Sequence, residues 1–130
     1  MKIMLALLLA GLLATLSGCG YTAKASTPPT MGTVPAIVTL NPDEATAGSA
    51  VMLTINGSNF SGTATVNWNG TAQTGTAWVS SNQLTVMIPA TVNANPGTVS
   101  VNVTNPGIAG GPYGGGTSSE TSNSETFTVN

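Results

Sequence analysis

The sequence predicts an all-β protein, a sandwich or barrel of about six to eight short strands. Short runs alternate apolar and polar residues, and turn residues such as Asn, Gly and Pro separate these runs. Thr and Val are abundant, and their branched side chains pack well on a pleated sheet. After the first 18 residues no segment has a useful helical period, so the alternation decides the fold class.

The strands follow from this alternation, and turn residues end each of them. Asn41-Pro42 ends the first strand, Pro89 ends the sixth, and Asn105-Pro106-Gly107 ends the seventh, because proline has no N–H for the ladder. Asn69-Gly70 predicts a hairpin, since both residues tolerate positive φ. The predicted strands are 37–40, 51–55, 65–68, 71–74, 76–79, 84–88, 99–103 and a last one with Phe127 and Val129.

The inward-facing residues of these strands, with Phe60, form the expected core. At about 1.5–3 kcal/mol for each large side chain buried, such a set suffices for one small domain. The expected core residues are Val38, Leu40, Val51, Leu53, Ile55, Phe60, Val66, Trp68, Leu84, Val86, Ile88, Val99, Val101, Val103, Phe127 and Val129.

Two segments lack the strand pattern. Residues 19–35 contain Pro28-Pro29 and no apolar period, so they predict a flexible, disordered tether. Residues 108–124 are rich in Gly and Ser and predict a flexible loop before the last strand. A loop of this length is either functional or merely tolerated.

The charge content excludes several functions. After residue 18, Lys24 is the only base, and the chain contains no Arg and no His. Nucleic-acid binding is excluded, because phosphate neutralisation needs Lys and Arg. Cys19 is the only cysteine, so an internal disulfide is impossible and a packed core must hold the fold.

The N-terminus has the order of a secretory signal. Lys2 precedes an apolar stretch at 3–13, and small residues follow at Ser17 and Gly18. A transmembrane helix is disfavoured, because the apolar stretch is shorter than the roughly 20 residues that a span needs. An ordinary cleaved signal would leave Cys19 as a free thiol, which invites intermolecular pairing.

The run Leu16-Ser17-Gly18-Cys19 resembles the lipobox of bacterial lipoproteins. The resemblance implies that residues 1–18 are a signal peptide, that Cys19 carries lipid and that the domain is held at a membrane outside the cytoplasm. Two or three acyl chains attach a protein stably to a membrane, whereas a single chain gives only marginal binding. Gly20 takes the place of the Asp that favours inner-membrane retention, so the outer membrane is expected if the source is Gram-negative.

Residues 36–130 resemble IPT/TIG domains. The segment from Leu53 to Phe60 is similar to their pattern L-T-I-x-G-x-x-F, and Val66–Gly70, Leu84–Pro89 and Asn105-Pro106-Gly107 follow in the family's order. The resemblance implies an immunoglobulin-like β-sandwich of the kind found in receptors, transcription factors and bacterial exported proteins. Gly57 is expected beneath Phe60, which closes one end of the sandwich. The Gly/Ser-rich insertion at 108–124 departs from the family pattern.

The sequence offers no constellation for catalysis. Without His there is no Ser-His-Asp triad and no imidazole metal site. Asp43 and Glu44 could contribute to a calcium site, but two acids in a turn are more often solvated. Glu120 and Glu125 lie in or beside the predicted loop and do not form a positioned pair. We therefore expect no enzyme activity, no metal and no cofactor.

Aromatic residues are the remaining candidates for ligand contact. Trp78 fits either the edge of the core or the surface, and Tyr113 lies in the Gly-rich loop. Exposed aromatics stack on sugars or anchor a protein. The expected function is non-catalytic binding of a protein or polysaccharide at the cell envelope. The alternatives are a carbohydrate-binding module that uses Trp78 and Tyr113, or an architectural domain of a larger surface assembly.

Overall fold

The computed structural model describes residues 27–130. The predicted signal peptide, with Leu16, Ser17, Gly18 and Cys19, and the first part of the predicted tether lie outside the described residues. Within 27–130 the regular structure is entirely β, and no helix there is long and apolar enough to cross a membrane. The strands are β1 Ala36–Asn41, β2 Glu44–Ala45, β3 Val51–Ser58, β4 Thr65–Trp68, β5 Thr71–Ala72, β6 Ala77–Ser80, β7 Gln83–Ile88, β8 Gly97–Asn105, β9 Glu120–Thr121 and β10 Glu125–Val129.

Two sheets pack face to face, which confirms the immunoglobulin-like β-sandwich. One sheet has the order β1-β3-β7-β6, and the other has the order β2-β10-β8-β4-β5, with β9 paired to β8. All pairs are antiparallel except β2 with β10. Asn123 links the sheets, since its side chain accepts a hydrogen bond from Ile37 N at 2.8 Å and donates one to Ile37 O at 3.0 Å.

The core lies between the sheets and contains almost all of the predicted residues. Leu53, Ile55, Leu84, Ile88 and Phe127 are fully buried, and each contributes about 1.5–3 kcal/mol. The ring centroids of Trp68 and Phe127 lie 4.9 Å apart with the planes tilted by 56°, within the range of favourable aromatic pairs. Leu40 and Val99 are partly buried and pack against this core.

Val38 is the exception: the prediction that it belongs to the core is wrong. Val38 is 67% exposed, and its neighbour Ile37 is buried instead. Ile37 pairs with Gly57 while Thr39 pairs with Asn56, so Val38 is an extra residue in β1. Such a bulge breaks the alternation. It therefore lets both Ile37 and Leu40 face the core.

The Asn69-Gly70 turn is confirmed as a hairpin between β4 and β5. Asn69 has φ 50° and Gly70 has φ 84°, and Trp68 pairs with Thr71 across the turn. Two positive φ values are the signature of a type I′ turn. The returning strand is shorter than predicted and covers only Thr71–Ala72.

The Gly-rich segment at 108–124 contains paired main-chain groups that the sequence does not predict. Ile108 and Thr117 exchange main-chain hydrogen bonds of 3.1 and 2.9 Å, and Gly111 and Gly114 exchange bonds of 3.1 and 3.0 Å. Residues 108–117 therefore form a narrow hairpin. β9 follows and pairs with the end of β8.

The described part of the predicted tether contacts this hairpin. Thr27 pairs with Gly114 and Thr30 with Thr117, both in parallel. Gly32 lies so close to the hairpin that a Cβ there would be 2.4 Å from Ser118 O. We call residues 27–34 the stem. The stem and the two arms of the hairpin form a small three-stranded ribbon at one end of the sandwich.

Candidate functional site

The sandwich has two ends with different surfaces. Gly97, at the start of β8, lies at one end, and Asn105, at the end of β8, lies at the other. The stem, the hairpin and Phe60 belong to the end with Asn105, which we call the hairpin end. The turn at Asn69-Gly70 and the loop 89–96 belong to the opposite side of the domain, which we call the cleft end.

The cleft end carries an open cleft of about 440 Å³. The β4–β5 hairpin forms one wall, and the segment between β7 and β8 forms the other. Its lining residues are Trp68, Asn69, Thr71, Gln73, Val92, Asn95, Pro96, Gly97, Thr98, Val99 and Val129.

The chemistry of this cleft is neutral and mixed. Its lining contains amides and hydroxyls beside apolar side chains, and it contains no charged residue. Gln73 is buried and its Nε2 donates to Thr71 O at 3.0 Å, which fixes the amide. Ligand sites typically combine apolar walls with a few polar groups that set orientation. This cleft therefore suits an uncharged ligand that forms hydrogen bonds.

Asn93 fixes the wall of the cleft formed by the loop 89–96. Its Nδ2 donates to Thr46 O at 3.2 Å and to Ser49 O at 3.1 Å. Its main-chain oxygen accepts from Gly48 N at 2.7 Å. Because Asn93 is buried, these bonds hold the loop against the segment between β2 and β3. The cleft thus has a preformed wall.

The hairpin end carries Trp78, one of the two aromatic residues predicted to contact a ligand. Trp78 pairs with the buried Leu84 across β6 and β7, so it points to the core side of the sheet at its edge. It is 49% exposed, and its Nε1 donates to Phe60 O at 3.1 Å. Trp78 is therefore both a core-edge residue and a surface residue.

Tyr113, the second predicted contact residue, lies at the tip of the hairpin and is 61% exposed. Its main-chain oxygen accepts a hydrogen bond of 3.2 Å from Thr27 N. Trp78 and Tyr113 thus belong to the same end of the domain, but on different elements. Their role in ligand contact stays a prediction.

Asn105 joins the elements of the hairpin end. Its side chain is buried, accepts from Ser61 N at 3.0 Å and donates to Thr33 O at 2.8 Å and to Asn59 O at 2.7 Å. One amide therefore connects the stem, the segment after β3 and the end of β8. A small cavity of about 130 Å³ lies beside it, between Ser61, Ile108 and Ser118.

The acidic residues do not converge on a common centre. Asp43 and Glu125 line a shallow depression with Val38, whereas Glu44 accepts a hydrogen bond from Asn130 and Glu120 accepts one from Ser118. Between Thr27 and Asn130, no group of three or more acidic, His or Cys side chains could hold a metal ion.

Sequence reasoning missed the cleft. The sequence predicts a turn at Asn69-Gly70 and places Trp68 in the core. No motif in the sequence marks Gln73, Val92 or Asn95 as part of a binding site. The two walls lie far apart along the chain, and only the sheet order brings them together. Neutral polar residues occur in both loops, and this is the sequence feature that could have indicated the cleft.

The two packed sheets, antiparallel except for β2 with β10, define an immunoglobulin-like interaction or architectural domain. The IPT/TIG domain pattern matches residues 35–129. The match covers most of the chain, so the protein belongs to the IPT/TIG domain family. No significant match was found among the curated proteins.

Proposed function

We propose that this chain is a lipid-anchored, non-catalytic domain of the bacterial cell envelope that binds a protein or a glycan. The cleft is the observation that carries the binding proposal. It lies at the end of the domain away from the stem, so a partner could reach it while Cys19 is held in the membrane. The outer membrane is the expected site if the source is Gram-negative.

The chemistry of the cleft supports an uncharged partner. Amides and hydroxyls there offer donors and acceptors, while Trp68, Val92 and Val99 supply apolar surface. Neutral sugars and uncharged peptide segments have this character. No carboxylate, amine, thiol or imidazole lines the cleft, so its lining offers no general acid or base and no base to activate its threonine hydroxyls.

The anchor is tested by the intact mass of the protein from the membrane fraction. We expect a chain that begins at Cys19 with added acyl mass, and we expect the Cys19→Ala variant to lack it. A soluble, unlipidated and fully functional chain would overturn the anchor. The binding function would then belong to a secreted domain.

The cleft is tested with neutral polysaccharide isolated from the envelope and with wall peptides as separate probes. Asn95→Trp should fill the cleft and abolish retention, because Asn95 is exposed and lines it. Thr54→Trp is the matched control, since Thr54 lies on the outer face of β3, away from the cleft. Equal retention of wild type and Asn95→Trp would overturn the assignment of the cleft.

A carbohydrate-binding module built on Trp78 and Tyr113 is the second candidate, favoured by the exposure of both rings. In that case the polysaccharide would change the indole emission, and Trp78→Phe rather than Asn95→Trp would abolish binding. A purely architectural domain would instead associate with itself as concentration rises, without any ligand.

A further inference from the structure

The hairpin end carries several exposed apolar side chains. Met31 is 80% exposed, Ile108 68% and Tyr113 61%, and Val34 is about half exposed. All four lie on the stem or the hairpin, and Trp78 lies at the same end of the sandwich. We call Met31, Val34, Ile108 and Tyr113 the apolar patch.

The ribbon that carries the patch contains no charge. Neither 27–35 nor 105–119 contains Asp, Glu, Lys or Arg. Its main-chain groups are paired in part within the ribbon: Gly115 N donates to Thr27 O at 2.7 Å, and Ser118 N donates to Thr30 O at 3.0 Å. The absence of charges and the partial pairing of main-chain groups both lower the free-energy cost of moving this ribbon out of water.

The stem is the part of the ribbon that follows Cys19 in the sequence. Thr27 pairs with Gly114 beside the hairpin tip, so the preceding residues connect to the outermost part of the hairpin end. Thr27 is the eighth residue after Cys19. Even a fully extended chain of this length spans at most about 29 Å. A lipid on Cys19 would therefore keep Thr27, beside the hairpin tip, within about 29 Å of the bilayer surface.

We propose that the hairpin end docks onto the lipid surface, with the apolar patch in the interfacial region and the cleft directed away from the membrane. This inference rests on the proposed lipidation of Cys19. Tyrosine and tryptophan favour the membrane interface because one end of each ring is apolar and the other is polar. Docking needs no basic residues, because the acyl chains supply the attachment and the patch sets the orientation.

The test uses the full-length protein, processed in cells and reconstituted in phosphatidylcholine vesicles. Ala109→Cys adds one thiol on the exposed hairpin, and Asn95→Cys adds one at the cleft end as the matched control. Each thiol receives the same small fluorophore. Iodide then quenches labels in water, and lipids with a spin label in the upper acyl chain quench labels in the membrane.

We expect several-fold weaker iodide quenching at position 109 than at position 95, and lipid quenching only at position 109. Ile108→Ser with Tyr113→Ser should restore iodide quenching at 109 while the acyl mass stays unchanged. Equal iodide quenching at both positions in a lipidated chain would overturn the docking alone. Protection from iodide without lipid quenching would also overturn it, since a protein would then cover the patch. Absence of acyl mass would overturn both the anchor and the docking.

Discussion

Gly57 lies directly beneath the ring of Phe60, at the hairpin end of the core. A Cβ added at Gly57 would be 2.6 Å from Phe60 Cζ and 1.9 Å from Ala36 O. The second contact is with main chain, which cannot rotate away. The close packing of β1, β3 and Phe60 therefore depends on the absence of a side chain at this position.

Gly57→Ala should lower the free energy of unfolding by about 3 kcal/mol, because the new methyl overpacks this contact. Urea unfolding followed by tryptophan fluorescence measures the change. Gly62→Ala is the matched control, since nothing lies within 4 Å of its added Cβ. Equal unfolding midpoints for the two variants would contradict the packing described.

Asn105→Asp should cost about 3 kcal/mol or more, because a carboxylate would face two main-chain oxygens that now accept hydrogen bonds. The shape of the side chain is nearly unchanged, so the cost reports the lost donors and the buried charge. Asn95→Asp, at an exposed position, should change the free energy of unfolding by less than about 0.5 kcal/mol. Thermal unfolding of the three proteins in one buffer makes the comparison.

The two tryptophans should differ in their access to a quencher in water. Trp78 is half exposed, whereas Trp68 is buried. Trp78→Phe should therefore remove most acrylamide quenching and shift the emission to the blue, and Trp68→Phe should keep the quenchable component. Strong quenching of the remaining tryptophan in Trp78→Phe would place Trp68 at the surface instead.

Trypsin should release the domain from membranes in a single cut. Lys2 and Lys24 are the only basic residues, and Lys2 is lost with the signal peptide if Cys19 is the first residue of the mature chain. The expected soluble product begins at Ala25, and its mass identifies the cut. Lys24→Gln should remain in the membrane pellet under the same treatment. Release of the Lys24→Gln chain would contradict a covalent anchor at Cys19, because no other trypsin site lies between Cys19 and the domain.

Most strands could be predicted because their alternation is regular and reflects one buried face. Leu53 and Ile55 illustrate this. Side chains two residues apart in a strand point to the same face, and in a sandwich that face is the core. Val38 could not be placed correctly. The bulge in β1 depends on how β1 meets β3, and the local sequence does not contain that information.

The hairpin was missed for a different reason. Its composition correctly indicates that little side-chain surface is buried, but main-chain hydrogen bonds between Ile108 and Thr117 need no side chains. The sequence does not decide whether Trp78 lies at the edge of the core or at the surface, and in the structure it does both. The cleft was beyond prediction, because Gln73 and Asn95 meet only through the order of strands in the sheets.

The placement of the stem and the cleft at opposite ends decides how the domain would carry force. Tension on Cys19 would enter β1 at the hairpin end, and a partner in the cleft would pull on the loop that follows β7. The load would then run along the antiparallel pairs β1–β3 and β3–β7. In that direction the hydrogen bonds of each pair are strained together instead of opening one after another. If Cys19 is anchored and the cleft holds a partner, as proposed, the domain would be a tension-bearing link between the two.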